Sequence, residues 1–153
     1  MYIWALDLSL RNSGFCVFDD KRNILQIGSI PTTAKDSDGV RLKTIADSLI
    51  KVSKKFPADI IIIEKGFFRF YKASQQLNKV LGLVNYLFWD IKQVYYAPTT
   101  IKKTITGSGK AKKEEVKDCV LLEYPNISIE NDDESDALAV GLTYFKKTEE
   151  IGE

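Results

Sequence analysis

Tyr2-Ile3-Trp4-Ala5-Leu6-Asp7-Leu8, Gly14-Phe15-Cys16-Val17-Phe18 and Ile24-Leu25-Gln26-Ile27-Gly28-Ser29-Ile30 are apolar runs parted by short polar stretches. Runs of this length, rich in aromatic and β-branched residues, read as strands. Asp19-Asp20-Lys21-Arg22-Asn23 is the turn between the second and the third. Pro31, which cannot donate to a strand ladder, closes the third. The chain therefore opens as a three-strand meander.

Beyond the meander the period changes. Asp36-Ser37-Asp38 supplies a helix start, and Leu42, Ile45, Ala46, Leu49 and Ile50 follow at the spacing of one helical face until Pro57. Ala58–Ile63 contains consecutive isoleucines from Ile60 to Ile63, the pattern of a strand covered on both faces, and runs into Glu64. Leu77, Val80, Leu81, Val84, Leu87, Phe88 and Ile91 form a second helical stripe, widened by Leu83, Tyr86 and Trp89. Gln93–Tyr96 is a short strand ended by Ala97-Pro98. Thr99–Ile105, Lys112–Glu123 and Asp133–Lys147 read as closing helices, with Gly107-Ser108-Gly109 as a break. The order β-β-β-α-β-α-β-α-α-α sets parallel strands beside the meander through right-handed crossovers. The result is an α/β fold with one mixed five-stranded sheet and helices on both faces, an order similar to the ribonuclease H-like arrangement. With 153 residues, 44% of them hydrophobic, a single domain over 1–153 is expected, with 146–153 a loose tail.

Composition narrows the chemistry. The chain has no histidine, which excludes Ser-His and Cys-His catalysis, histidine zinc sites and an imidazole base. Any hydrolysis must rest on carboxylates, Lys, Tyr or a metal. Cys16 and Cys119, each beside apolar residues, are expected to be structural thiols without a disulfide or zinc. Lys+Arg is 22 and Asp+Glu is 21, a balance that excludes a uniformly basic binding protein. The charge is nevertheless polarised. Residues 65–117 hold 11 basic and 3 acidic side chains, and residues 118–153 hold 2 and 10. Solvated helix faces would produce such a split; so would a basic surface for a polyanion beside an acidic site. No apolar run approaches the roughly 18 residues of a membrane span. Met1–Asp7 lacks the basic start of a signal peptide, so a cytoplasmic protein without a membrane partner is expected.

Asp7 interrupts an apolar strand, Glu64 ends the isoleucine run, and Asp133 and Asp136 open the last helix at i, i+3 spacing. If the first and fourth strands are neighbours, Asp7 and Glu64 meet at the sheet and the last helix can present its first turn to them. Taken singly, each acid has a structural alternative. Asp7 and Glu64 could be strand-end residues, and Asp132, Asp133 and Asp136 could cap the helix or complement its dipole. Together they favour a metal site, because clustered carboxylates repel unless cations neutralise them. Oxygen ligands alone select Mg²⁺ or Mn²⁺ over zinc. Two such ions about 4 Å apart would suit phosphodiester hydrolysis. Asp132 paired with Asp136 at i+4 is an alternative register.

These residues carry a resemblance to the RuvC family of Holliday junction resolvases. That family opens with a strand followed by Asp-Pro-Gly-Ser-Arg-x-x-Gly-aromatic, and this chain follows it at Asp7, Arg11, Gly14 and Phe15, with Leu8-Ser9 in place of Pro-Gly. Ile60–Glu64 and Phe67 look like the family's second acidic segment. Gly107-Ser108-Gly109-Lys110-Ala111-Lys112-Lys113 is similar to its Gly-x-Gly-x-x-x-Lys stretch. Asp133-Glu134-Ser135-Asp136-Ala137-Leu138-Ala139 matches every fixed position of its closing Asp-x-x-Asp-Ala-Leu-Ala, which sets the Asp133 register. The resemblance implies a homodimeric endonuclease making paired nicks in four-way DNA junctions. It implies two Mg²⁺ per site, with Mn²⁺ substituting, held by Asp7, Glu64, Asp133 and Asp136. The Lys- and Ile-rich composition and modest length suggest a divergent, phage-encoded member.

Phe67, Phe68, Arg69, Tyr71 and Lys72 mix aromatic faces for unpaired bases with cations for phosphates. Phe67 occupies the place of the family's junction-stacking aromatic. Lys102, Lys103, Lys110, Lys112 and Lys113 form a basic tract around a glycine-rich turn. Lys113, with Lys102 or Lys103, lies where the family keeps lysines near the scissile strand, and Lys113 is the expected catalytic lysine. Gly107–Lys110 is superficially similar to the end of a phosphate-binding loop. Thr104 and Ala111 stand where such a loop needs glycine and Ser/Thr, so no nucleotide cofactor is expected. Two rivals keep the fold: a nuclease for RNA–DNA hybrids or another nucleic acid, and a non-catalytic junction-binding module.

Overall fold

The computed structural model describes residues 1–65 and 71–152. Its elements are β1 (Tyr2–Asp7), β2 (Asn12–Asp19), β3 (Ile24–Pro31), α1 (Asp38–Lys55), β4 (Ile60–Glu64), α2 (Tyr71–Leu87), β5 (Lys92–Tyr96), α3 (Pro98–Thr106), α4 (Lys113–Glu123) and α5 (Asp132–Gly152). The sheet order is β3-β2-β1-β4-β5. β1, β2 and β3 pair antiparallel as the expected meander, while β4 and β5 run parallel to β1.

The isoleucine run explains why the sheet is a central layer. Ile61, Ile62 and Ile63 are fully buried. Ile61 and Ile63 pack with Trp4, Leu6, Leu49, Val80 and Val84 on the α1/α2 face. Ile62 faces the other way, with Ile3, Ala5, Ile101, Val120 and Val140 beneath α3, α4 and α5. Successive strand residues point to opposite faces, so a strand buried on both must be apolar throughout. On the α5 side the approach is close. A Cβ at Gly141 would lie 2.3 Å from the Phe18 ring and 3.2 Å from the Ala5 Cβ.

The boundaries depart from the sequence pattern in informative places. α2 begins at Tyr71, well before its apolar stripe, because Lys72-Ala73-Ser74-Gln75-Gln76 is made largely of good helix formers that carry no apolar signal. α5 continues to Gly152, so residues 146–152 of the stretch expected as a loose tail are helical. A Lys147–Glu150 pair at i,i+3 and an Arg22–Glu149 ion pair accompany those last turns. Gly107, at φ 89°, caps α3 in the left-handed region, its N–H donating to Lys103 O at 2.8 Å. The glycine-rich stretch thus ends a helix. Cys16 is buried, Cys119 is half-buried, and both are free thiols. No helix among the described residues is long and apolar enough to cross a membrane.

Candidate active site

β1 and β4 lie parallel with Leu6 opposite Ile63, so their last residues, Asp7 and Glu64, come side by side at one end of the sheet. Their carboxyls share a hydrogen bond. Gly14, opposite Asp7 in the β1–β2 ladder, lies beneath the start of α5. A Cβ there would fall 2.0 Å from the Asp133 carbonyl oxygen and 2.5 Å from its carbonyl carbon. Only glycine admits a helix backbone this close. The approach brings a carboxylate oxygen from each of Asp7, Asp133 and Asp136 within 4.8 Å of the others.

The acids that open α5 do different jobs. Asn131 Oδ1 accepts the Glu134 N–H at 3.0 Å, and Glu134 Oε2 accepts the Glu130 N–H at 2.8 Å. This is close to a capping box, so helix capping is done by Asn131 and the buried Glu134. Asn131 Nδ2 also donates to Ser29 Oγ at 2.9 Å, tying the helix start to β3. Asp132 points outward, where Lys113 and Lys117 reach it at 3.9 and 3.5 Å. Asp133 and Asp136 are thereby left to turn inward to Asp7. The alternative Asp132 register does not assemble at the cluster.

Burial, then the charges of Glu64 and Asp136, push the Asp7 carboxyl up to about 9. Glu64 and Asp136 are raised as well, burial again being the main cause. Partial burial works against the Lys113 ammonium, but Asp136 outweighs it, with its Oδ2 3.0 Å from Lys113 Nζ, and the lysine's pKa is raised. Carboxyls driven toward protonation, with an ammonium pressed against one of them, mark a cluster short of positive charge. The donors are all oxygens in a chain without histidine, a set that fits a hard divalent cation.

Beside the cluster is a cleft of about 240 Å³ lined by Glu64, Ile101, Lys102, Lys113, Val116 and Asp136, among others. Lys113 and Lys102 therefore sit at the carboxylates, and both lower the pKa of Glu64. Lys103 turns to another side of α3, where it lines a hollow with Lys147 and Glu150. Lys72, Lys110 and Lys112 are exposed. Phe67, Phe68 and Arg69 lie outside the described residues, as does the side chain of Tyr71. Sequence reasoning passed over Asn12, whose Nδ2 donates to Asp133 Oδ2 at 2.9 Å. It occupies a variable position of the opening motif and meets Asp133 only through the fold.

A mixed sheet of this order, with acids from β1, β4 and the last helix at one end, defines a ribonuclease H-like protein with a carboxylate centre. The family model for crossover junction endodeoxyribonuclease RuvC matches residues 3–144, and the chain belongs to that family. A relative of that name from Prochlorococcus marinus subsp. pastoris is 33% identical over 154 residues, covering 94% of this chain and 95% of its own length. One from Rickettsia typhi is 32% identical over 150 residues, covering 94% and 96%. Thermus thermophilus RuvC in complex with a Holliday junction substrate superposes with a TM-score of 0.86 at 21% identity, covering 97% of this chain and 94% of that one. The Fowlpox virus resolvase with junction DNA gives 0.63 at 17% identity, covering 95% and 99%.

Proposed function

We propose that this protein is a structure-selective endonuclease that resolves four-way (Holliday) and related branched DNA junctions in the cytoplasm by paired hydrolysis of phosphodiesters. The observation that carries the reading is the convergence of Asp7, Asp133 and Asp136 oxygens within 4.8 Å beside the Lys102–Lys113 cleft, in a chain of the RuvC family. Asp7, Glu64, Asp133 and Asp136 would hold two Mg²⁺ ions, with Mn²⁺ able to substitute. Such ions, when bound, supply Lewis-acid activation of water and of the departing oxygen. Lys113, protonated at neutral pH, offsets negative charge gathering on the phosphate. Lys102, on the same cleft wall, holds the neighbouring backbone. Phe67, Phe68, Arg69, Tyr71 and Lys72 follow Glu64 in the chain and would meet the unpaired bases and phosphates at the branch point. Lys103, Lys110 and Lys112 would extend the basic footprint along an arm.

A junction is nearly two-fold symmetric, so a homodimer would offer one site to each of two strands. Tyr86 and Trp89, 77% and 80% exposed at the end of α2, suit the apolar surface that a second copy would cover.

The test is a denaturing gel of a labelled four-way junction with Mg²⁺ and with EDTA, run beside a linear duplex and an RNA–DNA hybrid. The expected outcome is Mg²⁺-dependent nicking of the junction alone, paired on opposite strands of the same molecule. Uncorrelated single nicks would count against the dimer, and cutting of the hybrid alone would transfer the substrate to RNA–DNA. Asp136→Asn should lower cleavage on the order of a thousandfold, the equivalent of several kcal/mol. It should leave junction binding intact, since the basic surface is untouched. Loss of binding with cleavage would make Asp136 a structural residue.

A further inference from the structure

Asn12 is the side chain at this site that neither a charge pattern nor the closing motif accounts for. It stands at the first position of β2, and its Nδ2 donates to Asp133 Oδ2 at 2.9 Å across a span of 121 residues. The other end of the same amide, Oδ1, is buried and has no hydrogen-bond donor among the described residues. A buried amide with one end unpaired costs stability unless its paired end does something the fold needs.

The backbone carrying Asn12 is fixed with unusual thoroughness. Ser9 Oγ donates to Asn12 O at 2.8 Å and accepts the Asn12 N–H at 3.0 Å. Ser13 Oγ donates to Ser9 O at 2.7 Å and accepts the Ser9 N–H at 3.1 Å. The turn after β1, where Leu8-Ser9 replaces Pro-Gly, is therefore locked by two serine hydroxyls in place of a proline ring. Ser13 is itself buried. The lock holds the Asn12 backbone by both its N–H and its C=O. Gly14, two residues on, packs against the Asp133 backbone. One end of β2 thus grips Asp133 twice, by its main chain and by one carboxylate oxygen.

We infer that Asn12 is a positioning residue: by holding Asp133 Oδ2 it fixes the rotation of that carboxylate, so that an oxygen stays within ligand distance of Asp7 and Asp136. A free aspartate rotates about its last bond, and each rotation away would dilute the ligand set. Donors held on a ligand's far oxygen act in this way, and their removal typically weakens metal affinity about 10–100-fold. Asn suits the role because its amide N–H₂ donates without bringing a positive charge that would compete with a cation for the carboxylates. This inference rests on the cation-binding reading of the carboxylates given above.

The test measures Mn²⁺ binding to the full chain without DNA, by the loss of the free-ion electron paramagnetic resonance signal. Asn12→Leu, of similar size and unable to donate, should raise the half-saturating Mn²⁺ concentration about tenfold. Its junction binding in EDTA should equal that of wild type. Cleavage by the variant should return to within about twofold of wild type at saturating Mn²⁺, a shift in metal dependence and not in maximal rate. In an Asp133→Asn background the same substitution should have no further effect, because Asn12 acts only through the Asp133 carboxylate. Asn12→Ser serves if the leucine variant fails to fold. An unchanged Mn²⁺ midpoint, or an equal loss in the Asp133→Asn background, overturns the inference while leaving the nuclease reading intact. Mn²⁺ binding by wild type without junction cleavage overturns the nuclease reading alone, and absence of Mn²⁺ binding by wild type overturns both.

Discussion

The two faces of the sheet are built to different tolerances. On the α5 face the helix comes so near that Gly14 and Gly141 have no room for a methyl group, Cβ atoms there falling 2.0 Å from backbone and 2.3 Å from a ring. α5 is buried almost continuously from Glu134 to Phe145. Partly covered apolar residues line both faces, Leu77, Leu81 and Leu87 on the α1/α2 side and Ile105, Val116 and Tyr144 on the α5 side, so the contrast lies in the backbone approach at Gly14 and Gly141. On the α1/α2 side a groove of about 590 Å³ separates β3 from α1, and Tyr86 and Trp89 stand in solvent. The difference follows the chemistry. Carboxylates from three elements must meet within ångströms, and only backbone contact fixes a helix that closely. The other face needs apolar bulk and can leave surface for a partner.

Gly14→Ala is the strongest way to break this contrast. The new methyl meets the main chain of Asp133, which cannot swing aside as a side chain would, so the first turn of α5 must lift from β2. Overpacking of this kind costs roughly 2–4 kcal/mol. The thermal midpoint should fall by roughly 5–10 °C for a chain of this size. Junction cleavage should fall further than stability alone explains, since Asp133 and Asp136 ride on the displaced turn. Retained cleavage in a folded Gly14→Ala protein would show that the close approach is not what places the acids.

The tight face also carries a cost that depends on pH. Asp7 is pushed up to about 9 by burial and by its acidic neighbours, against an ordinary value of 3.8 in the unfolded chain. Below about pH 4 the group is protonated in both states and contributes no penalty. As pH rises toward 9 the unfolded chain releases the proton and the folded one keeps it, so stability declines across that window and levels off above it. Asp7→Asn retains a donor for Glu64 and removes the titration. In EDTA it should match wild type near pH 4 and melt roughly 3–6 °C higher near pH 8. Millimolar Mg²⁺ should stabilise wild type and not the variant. A pH-independent difference between the two proteins would mean that Asp7 is not the group responsible.

Much of this was legible in the sequence. The isoleucine run and the opening meander pointed to one mixed sheet, because a strand apolar at every position must be covered on both faces; the order of its strands came from the fold. Asp7 and Glu64 could be paired from strand adjacency alone. The choice of Asp133 over Asp132 needed either a motif or the fold, since both lie one turn from Asp136. The fold's reason was already written in Asn131-Asp132-Asp133-Glu134: the Asn-x-x-Glu spacing caps the helix and releases Asp133 from that duty. Choosing between Lys102 and Lys103 required the position of α3 against the carboxylates, which a nine-residue helix marked only by Ile101 and Ile105 does not declare. Asn12 was illegible, because its meaning is a contact 121 residues away.

The smallest effect tests the loose face directly. Gly82 lies inside α2, exposed, and a Cβ there would meet nothing within 4 Å. Glycine in a helix interior costs roughly 0.5–1 kcal/mol relative to alanine, through the backbone freedom it surrenders on folding. Gly82→Ala should therefore stabilise the protein by about that amount, raising the melting midpoint by roughly 1–4 °C with cleavage unchanged. The same substitution type would then act with opposite sign on the two faces, at Gly14 through contact and at Gly82 through chain entropy. The measurement is a melt at dilute and at concentrated protein, with sedimentation alongside. Stabilisation at both concentrations would place Gly82 clear of any subunit contact. Stabilisation when dilute that disappears when concentrated, with weakened association, would put this turn of α2 at the interface and make the loose face close-packed once a second copy covers it.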